Sequence, residues 1–318
     1  MNATRLFVST VMIFVSALLS SSAGQPPASP ILPGETTMNK GAGTGDMLLL
    51  TLHLKYGDKL TFIMDTGAPL TVLDSSLVQG LGKQLGSTKI TSMYGQTPSH
   101  YYQAPGLYLG DTRLSTGPRV LTMDLSPLSS DEIHFAHANH HFMGVLGLDC
   151  LRHYCIQLDF AARKIRFLDS NQLHPEDLGE AFPLEFSHGH TFVHENLVGI
   201  KGTKSLIDTG CNSDGCLTPK LFRQWADSPS QGAPHEEHRP NGVLGGHTYS
   251  HLQLNGDGKI NALGLAFLAR NLVTFDFPNQ TMYLKRISAE PLLIPQHTPA
   301  ETKGRRLSGL PVTRQPGA

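Results

Sequence analysis

The stretch Leu60-Thr61-Phe62-Ile63-Met64-Asp65-Thr66-Gly67 is an apolar run that ends on an acid, a hydroxyl and a glycine, and it returns as Ser205-Leu206-Ile207-Asp208-Thr209-Gly210. Short apolar runs bounded by turn formers read as strands, so each acid is expected at a strand end. Working outward, each copy is preceded by another strand and a turn. These are Leu48–Leu54 with Tyr56-Gly57-Asp58-Lys59, and Phe192–Ile200 with Lys201-Gly202-Thr203-Lys204. Each is followed by a second shared passage. Gly144-Val145-Leu146-Gly147-Leu148-Asp149-Cys150-Leu151 aligns without a gap on Asn261-Ala262-Leu263-Gly264-Leu265-Ala266-Phe267-Leu268. Alternating strand pairs then close both halves, Cys155–Phe160 into Lys164–Leu168 and Leu272–Phe277 into Thr281–Lys285. An internal duplication is the simplest account of this order. The interval between the acid and the second passage is longer in the first half, and the excess reads as loop.

The bulk numbers agree with two lobes. A chain of 318 residues is long enough for two domains that each bury a core. Hydrophobic residues make up 39% and charged residues 16%, with 32 Gly and 21 Pro, which favours short strands and turns over long helices. The formal charge of -1 and the scattered Lys and Arg residues exclude an electrostatic footprint for nucleic acid.

The N-terminus carries Arg5, the apolar run Leu6–Leu19 and then Ser20-Ser21-Ser22-Ala23-Gly24, the pattern of a secretory signal cleaved near Ala23. The run is shorter than the roughly 20 residues that span a bilayer, and no later segment is apolar enough, so no membrane span is expected in the mature chain. The predicted organisation is a signal peptide (1–24), a flexible Pro- and Gly-rich lead-in (25–45), a first lobe (46–170), a polar linker (171–180), a second lobe (181–287) and a disordered tail (288–318). Export to the periplasm or the extracellular medium would let disulfides persist. Cys150, Cys155, Cys211 and Cys216 are then candidates for them, with three pairings open, although for Cys211 a small buried residue is the plainer reading beside a bond to Cys216 or a redox-sensitive thiol.

An apolar strand ending in Asp-Thr-Gly, present twice and each time followed by an apolar-apolar-Gly passage, resembles the aspartic peptidases. The retropepsin-like kind, with two such units fused in one chain as in the bilobal pepsin arrangement, is the nearest pattern. The resemblance covers roughly residues 46–286 and rests on Ile63-Met64-Asp65-Thr66-Gly67-Ala68, its second copy and the two Gly passages. It implies an all-β fold of two tandem acid-protease-type β-barrel lobes with the active site in the cleft between them. It also implies that Asp65 and Asp208 are the catalytic pair, and that the active-site turns are Thr66, Gly67 and Ala68 in one half and Thr209, Gly210 and Cys211 in the other. The threonine hydroxyls would tie each turn to the other's backbone. The family's substrate-covering flap would fall at Thr91–Thr97, with Tyr94 and Gly95 near its tip, although an ordinary surface hairpin accounts for that stretch as well. Glu236–Gly246 would be a shorter second flap.

The chemistry follows from the pair. Two carboxyl groups about 3 Å apart do not both ionise; one keeps a proton while the other acts as base. The ionised member takes a proton from a water that attacks the peptide carbonyl, and the protonated member donates to the developing oxyanion. No cofactor, metal or covalent intermediate is required, and with both turns in one chain a monomer suffices. The expected activity is therefore an aspartic-type endopeptidase, a hydrolase whose partner is a polypeptide substrate.

The second turn departs from the pattern, because Cys211 stands where Ala, Ser or Thr follows the Gly. Ala266 replaces the acid that the first half retains as Asp149. These departures keep a second reading open, an inactive peptide-binding protein on the same scaffold. A third reading, metal binding by His134, His137, His140 and His141, has no spacing that sets a coordination geometry.

Overall fold

A computed structural model describes residues 31–55, 57–92, 95–129, 141–226 and 241–292. Among these, the strands form sheets of eleven, nine and two members, and the only helical pieces are short, so the chain is all-β and two-lobed. Alternation explains the strands: Lys164–Leu168 and Thr281–Arg286 both bury every second side chain along their first four residues.

In the first half, strand Lys59–Met64 pairs antiparallel with Leu49–Leu54 and parallel with Gly144–Leu146, which in turn pairs with Val72–Asp74. In the second half, Thr203–Asp208 pairs antiparallel with His190–Glu195 and parallel with Asn261–Gly264, which pairs with Gly215–Cys216. The repeat extends to backbone angles. The closing hairpins each place a non-glycine residue in the left-handed region at the same point of the repeat, Arg163 at φ 54° and Gln280 at φ 53°.

The halves are not separately sheeted. Cys155–Asp159 pairs with Leu158's and Cys155's partners Val273 and Asp276 on strand Asn271–Asp276, so the eleven-stranded sheet runs from the first half into the second. One apolar cluster likewise contains Leu48, Phe62 and Ile156 together with Phe267, Phe275 and Leu284.

Three expectations change. Over residues 35–45 the segment read as a flexible lead-in is built into the fold, up to the start of the first lobe. Glu35–Thr37 pairs with Lys164–Arg166, Met38, Ala42 and Met47 are buried, and the Asn39 amide bonds both Met47 O and Leu49 N, at 2.9 Å each. Its composition misled because Glu35–Thr37 add an edge strand while Gly41, Gly43 and Gly45 lie in the turns that follow, a use that glycine suits as well as it suits a linker. At the other end, Arg270 holds the start of the expected tail: its backbone oxygen accepts from Ile287 and Ser288, and its guanidinium reaches Ala289 O at 3.2 Å. The expected signal peptide (1–24) and the expected tail from 293 onward lie outside the described residues. Finally, all four cysteines are buried free thiols. Cys216 Sγ donates to Ile260 O at 3.4 Å, and burial pushes the thiol pKa values of Cys150, Cys155 and Cys216 upward, so these behave as small core residues.

Candidate active site

Each turn begins where a buried strand runs out. Asp65 N donates to Leu146 O at 3.1 Å, and Asp208 faces Gly264 in register, so the Gly passage of each half lies alongside the strand that delivers the acid. Past the turn, Ala68 O accepts from Leu148 N at 2.7 Å and Cys211 O accepts from Leu265 N at 2.6 Å. Cys211 therefore has the same backbone role as Ala68. Its thiol sits 3.2 Å from Ser213 Oγ.

The two turns lock to each other through their threonines. Thr66 Oγ1 donates to Ile207 O (2.8 Å) and accepts from Thr209 N (3.1 Å); Thr209 Oγ1 donates to Met64 O (2.7 Å) and accepts from Thr66 N (3.0 Å). Four buried hydrogen bonds thus fix the turns across the interface between halves, each hydroxyl using its donor and an acceptor lone pair. Gly67 and Gly210 are required by what faces them. A Cβ on Gly67 would lie 2.5 Å from Asp208 Oδ1, and one on Gly210 would lie 2.5 Å from Asp65 Cγ. Each glycine makes room for the opposite carboxyl group.

Asp65 and Asp208 are both fully buried, and each carboxyl group packs against the glycine of the opposite turn. Asp65 Oδ1 accepts from Gly67 N (2.8 Å) and Ala68 N (3.0 Å), and Asp208 Oδ1 accepts from Gly210 N (3.0 Å). The second oxygen of each carboxyl has no protein donor. Burial pushes Asp65 up to about 6 against those backbone donors. Burial, and then the charge of Asp65, holds Asp208 well above the ordinary carboxyl range. Burial and mutual repulsion thus oppose the ionisation of both groups together, so the two titrate as a pair.

The structure thus brings together Asp65, Thr66, Gly67, Ala68, Asp208, Thr209, Gly210 and Cys211. Gly95 pairs with Ser92 at the end of a hairpin of strands Gln84–Ser92 and Gly95–Gln103, where a two-residue loop joins them. Tyr94 lies outside the described residues, as do His134, His137 and His140; His141 is exposed. The described part of the expected second flap, residues 241–246, belongs to a hairpin packed on Leu197 and Glu180.

Sequence reasoning missed the support under the second turn. In the first half Thr71 N and Oγ1 both donate to Asp149 Oδ1, at 2.7 and 2.8 Å. In the second half the acid has changed sides: Asp214 occupies the place of Thr71, Ala266 that of Asp149, and Asp214 Oδ2 pairs at 2.7 Å with the fully buried guanidinium of Arg270. The register of the two acid turns puts Asp214 opposite Thr71, but no local pattern ties it to Arg270, which follows the apolar run Phe267-Leu268-Ala269. Two other contacts were also missed. His190 Nδ1 lies 2.9 Å from Gly67 O, and Asn212 Nδ2 donates to Gly45 O at 2.9 Å.

Two facing acid turns at the meeting of two β lobes define an aspartic-peptidase type of scaffold. Residues 52–150, within the first half, match the family model described as aspartyl protease. No curated protein matches the sequence. Among solved structures the chain is similar to basic 7S globulin from soybean, with a TM-score of 0.53 over 81% of this chain and 96% of that one. At 12% identity that likeness speaks to the fold alone.

Proposed function

We propose that this chain is an exported aspartic endopeptidase, with Asp65 and Asp208 as its catalytic pair. The observation that carries the reading is the reciprocal threonine lock, which holds two buried carboxyl groups face to face. Burying two adjacent carboxyl groups costs stability, so a network that holds them together favours a role beyond structure. Asp65, the better supplied with backbone N–H donors, acts as the base toward water, and Asp208 donates to the oxyanion. Lobes at about 46–170 and 181–287, joined through 171–180, would flank an extended polypeptide. Among the described residues no helix is long and apolar enough to cross a membrane, which fits a chain released after removal of residues 1–24.

A peptide-binding protein without catalysis is the second reading, favoured by the complete burial of both carboxyl groups. Incubating the mature chain and its Asp65→Asn form with a mixed peptide library across pH 3–8 separates the two. Cleavage by the parent and none by the variant supports the peptidase. Retention of peptides with no cleavage by either supports the binding protein, and cleavage that survives in the variant removes the dyad assignment.

A further inference from the structure

The second half reaches across and touches the first turn at one further point. Strands Glu180–Ser187 and His190–Glu195 are joined by a two-residue loop, with Ser187 paired to His190. Both loop residues have positive φ, His188 at 52° and Gly189 at 80°. That combination gives the tight hairpin turn whose twist matches the strands, so the tip is stiff. It rests on the first turn: a Cβ on Gly189 would stand 3.1 Å from Pro69 Cβ. Beside it, the His190 ring is 93% buried and its Nδ1 meets Gly67 O at 2.9 Å, across 123 residues of sequence.

A carbonyl oxygen only accepts, so Nδ1 carries the hydrogen in this contact. The ring edge against Phe192, at 6.4 Å between centroids, limits its rotation. Gly67 is the residue on which both carboxyl groups depend. Its N–H binds Asp65 Oδ1 at 2.8 Å, and its bare Cα leaves the space that Asp208 Oδ1 occupies. The Gly67 carbonyl shares one peptide plane with the Ala68 N–H, which binds Asp65 Oδ1 at 3.0 Å, so a small tilt of that plane would lengthen the Ala68 contact. At the second turn a contact runs the other way, with the turn's own Asn212 reaching out to Gly45 O.

We infer that His190 is a positioning residue of the first catalytic turn, donating from Nδ1 to Gly67 O and so setting where Asp65 stands against Asp208. This rests on the proposed peptidase function for its kinetic consequence, but its structural consequence is independent of activity. Asparagine and glutamine separate the two ring nitrogens, because the Asn amide nitrogen falls near the place of Nδ1 and the Gln nitrogen near that of Nε2.

The test compares the mature chain with His190→Asn, His190→Gln and His190→Leu in two readouts. The first is kcat and KM on a cleaved peptide. The second, which needs no activity, is the titration of the pair followed by carbon NMR of 13C-carboxyl-labelled Asp. Expected is that His190→Leu and His190→Gln lower kcat about tenfold or more with KM little changed. In both, the lower titration of the pair moves upward as the Ala68 N–H loosens from Asp65. His190→Asn keeps both near the parent. Equal behaviour of the Asn and Gln variants, or a pair titration unmoved in His190→Leu, overturns the inference. Should the Leu variant not fold, the Asn–Gln comparison decides alone. A parent that cleaves nothing while the titrations shift as expected defeats the peptidase reading and leaves the positioning role standing.

Discussion

At the scale of single residues, the pair of acids is held at a cost in stability. Burial raises both carboxyl pKa values, so above the ordinary value of 3.8 the folded chain retains protons that the unfolded chain has lost. Stability therefore falls as pH rises from 3.8 through about 6, because desolvated carboxyl groups are then asked to ionise. Asp65→Asn and Asp208→Asn are expected to lower kcat by at least about 10²–10⁴-fold and yet to raise Tm at pH 7. The gain should be a few degrees, at about 2–4 °C per kcal/mol for a chain of this size. Calorimetry at pH 7 checks this, and a lowered Tm in both variants would contradict it. The same shifts set the pH profile. kcat/KM should rise with pH as the doubly protonated pair loses its first proton near 6, and fall where Asp208 ionises, giving a bell displaced toward neutrality. A rate that climbs steadily toward pH 3 would exclude it. Both acids were legible in the sequence, because an acid after an apolar strand is a local pattern that occurs twice.

At the scale of elements, the turns are stable because each borrows partners from the other half. Thr66→Val removes the donor to Ile207 O and strands Thr209 N, both buried, and each stranded group costs about 1–3 kcal/mol. Thr209→Val does the same to Met64 O and Thr66 N. In a double-mutant cycle the two losses should be less than additive, because the hydroxyls belong to one network, and denaturant unfolding measures the coupling. Beneath the second turn, Arg270→Met leaves Asp214 buried without its cation and is expected to cost about 3–5 kcal/mol. Adding Asp214→Leu should restore part of that, short of the whole because Arg270 also serves Ser250 O and Ala289 O. If the double variant is no more stable than Arg270→Met, the ion pair is not what holds this turn. The strands themselves were legible from alternation. The exchange of Thr71–Asp149 for Asp214–Arg270 was not, because the partners lie 56 residues apart in the second half and only folding brings them together.

At the scale of the whole molecule, the shared sheet and common core make the two halves one cooperative body. Residues 46–170 alone would expose strand Cys155–Asp159, which pairs with Asn271–Asp276, and would lose Glu35–Thr37 from the edge of Lys164–Leu168. That fragment is expected to show no cooperative thermal transition, whereas the mature chain shows one, with calorimetric and van't Hoff enthalpies in agreement. Removing residues through Met47 takes away the buried side chains of Met38 and Met47, worth about 1.5–3 kcal/mol each, and the Gly45 carbonyl that holds Asn212. Tm should fall together with any cleavage activity; an unchanged Tm would show that the segment does not contribute. The sequence by itself determined the duplication, the all-β class and both acid turns, because strand alternation, turn chemistry and repeated order are read within a few neighbouring residues. Only the tertiary structure decided that the lead-in is a pairing strand, that the cysteines stay free in the core, that each glycine clears space for the opposite carboxyl, and that His190 crosses over to Gly67. Each of these depends on what a distant segment places within a few ångströms, and no local pattern records that distance.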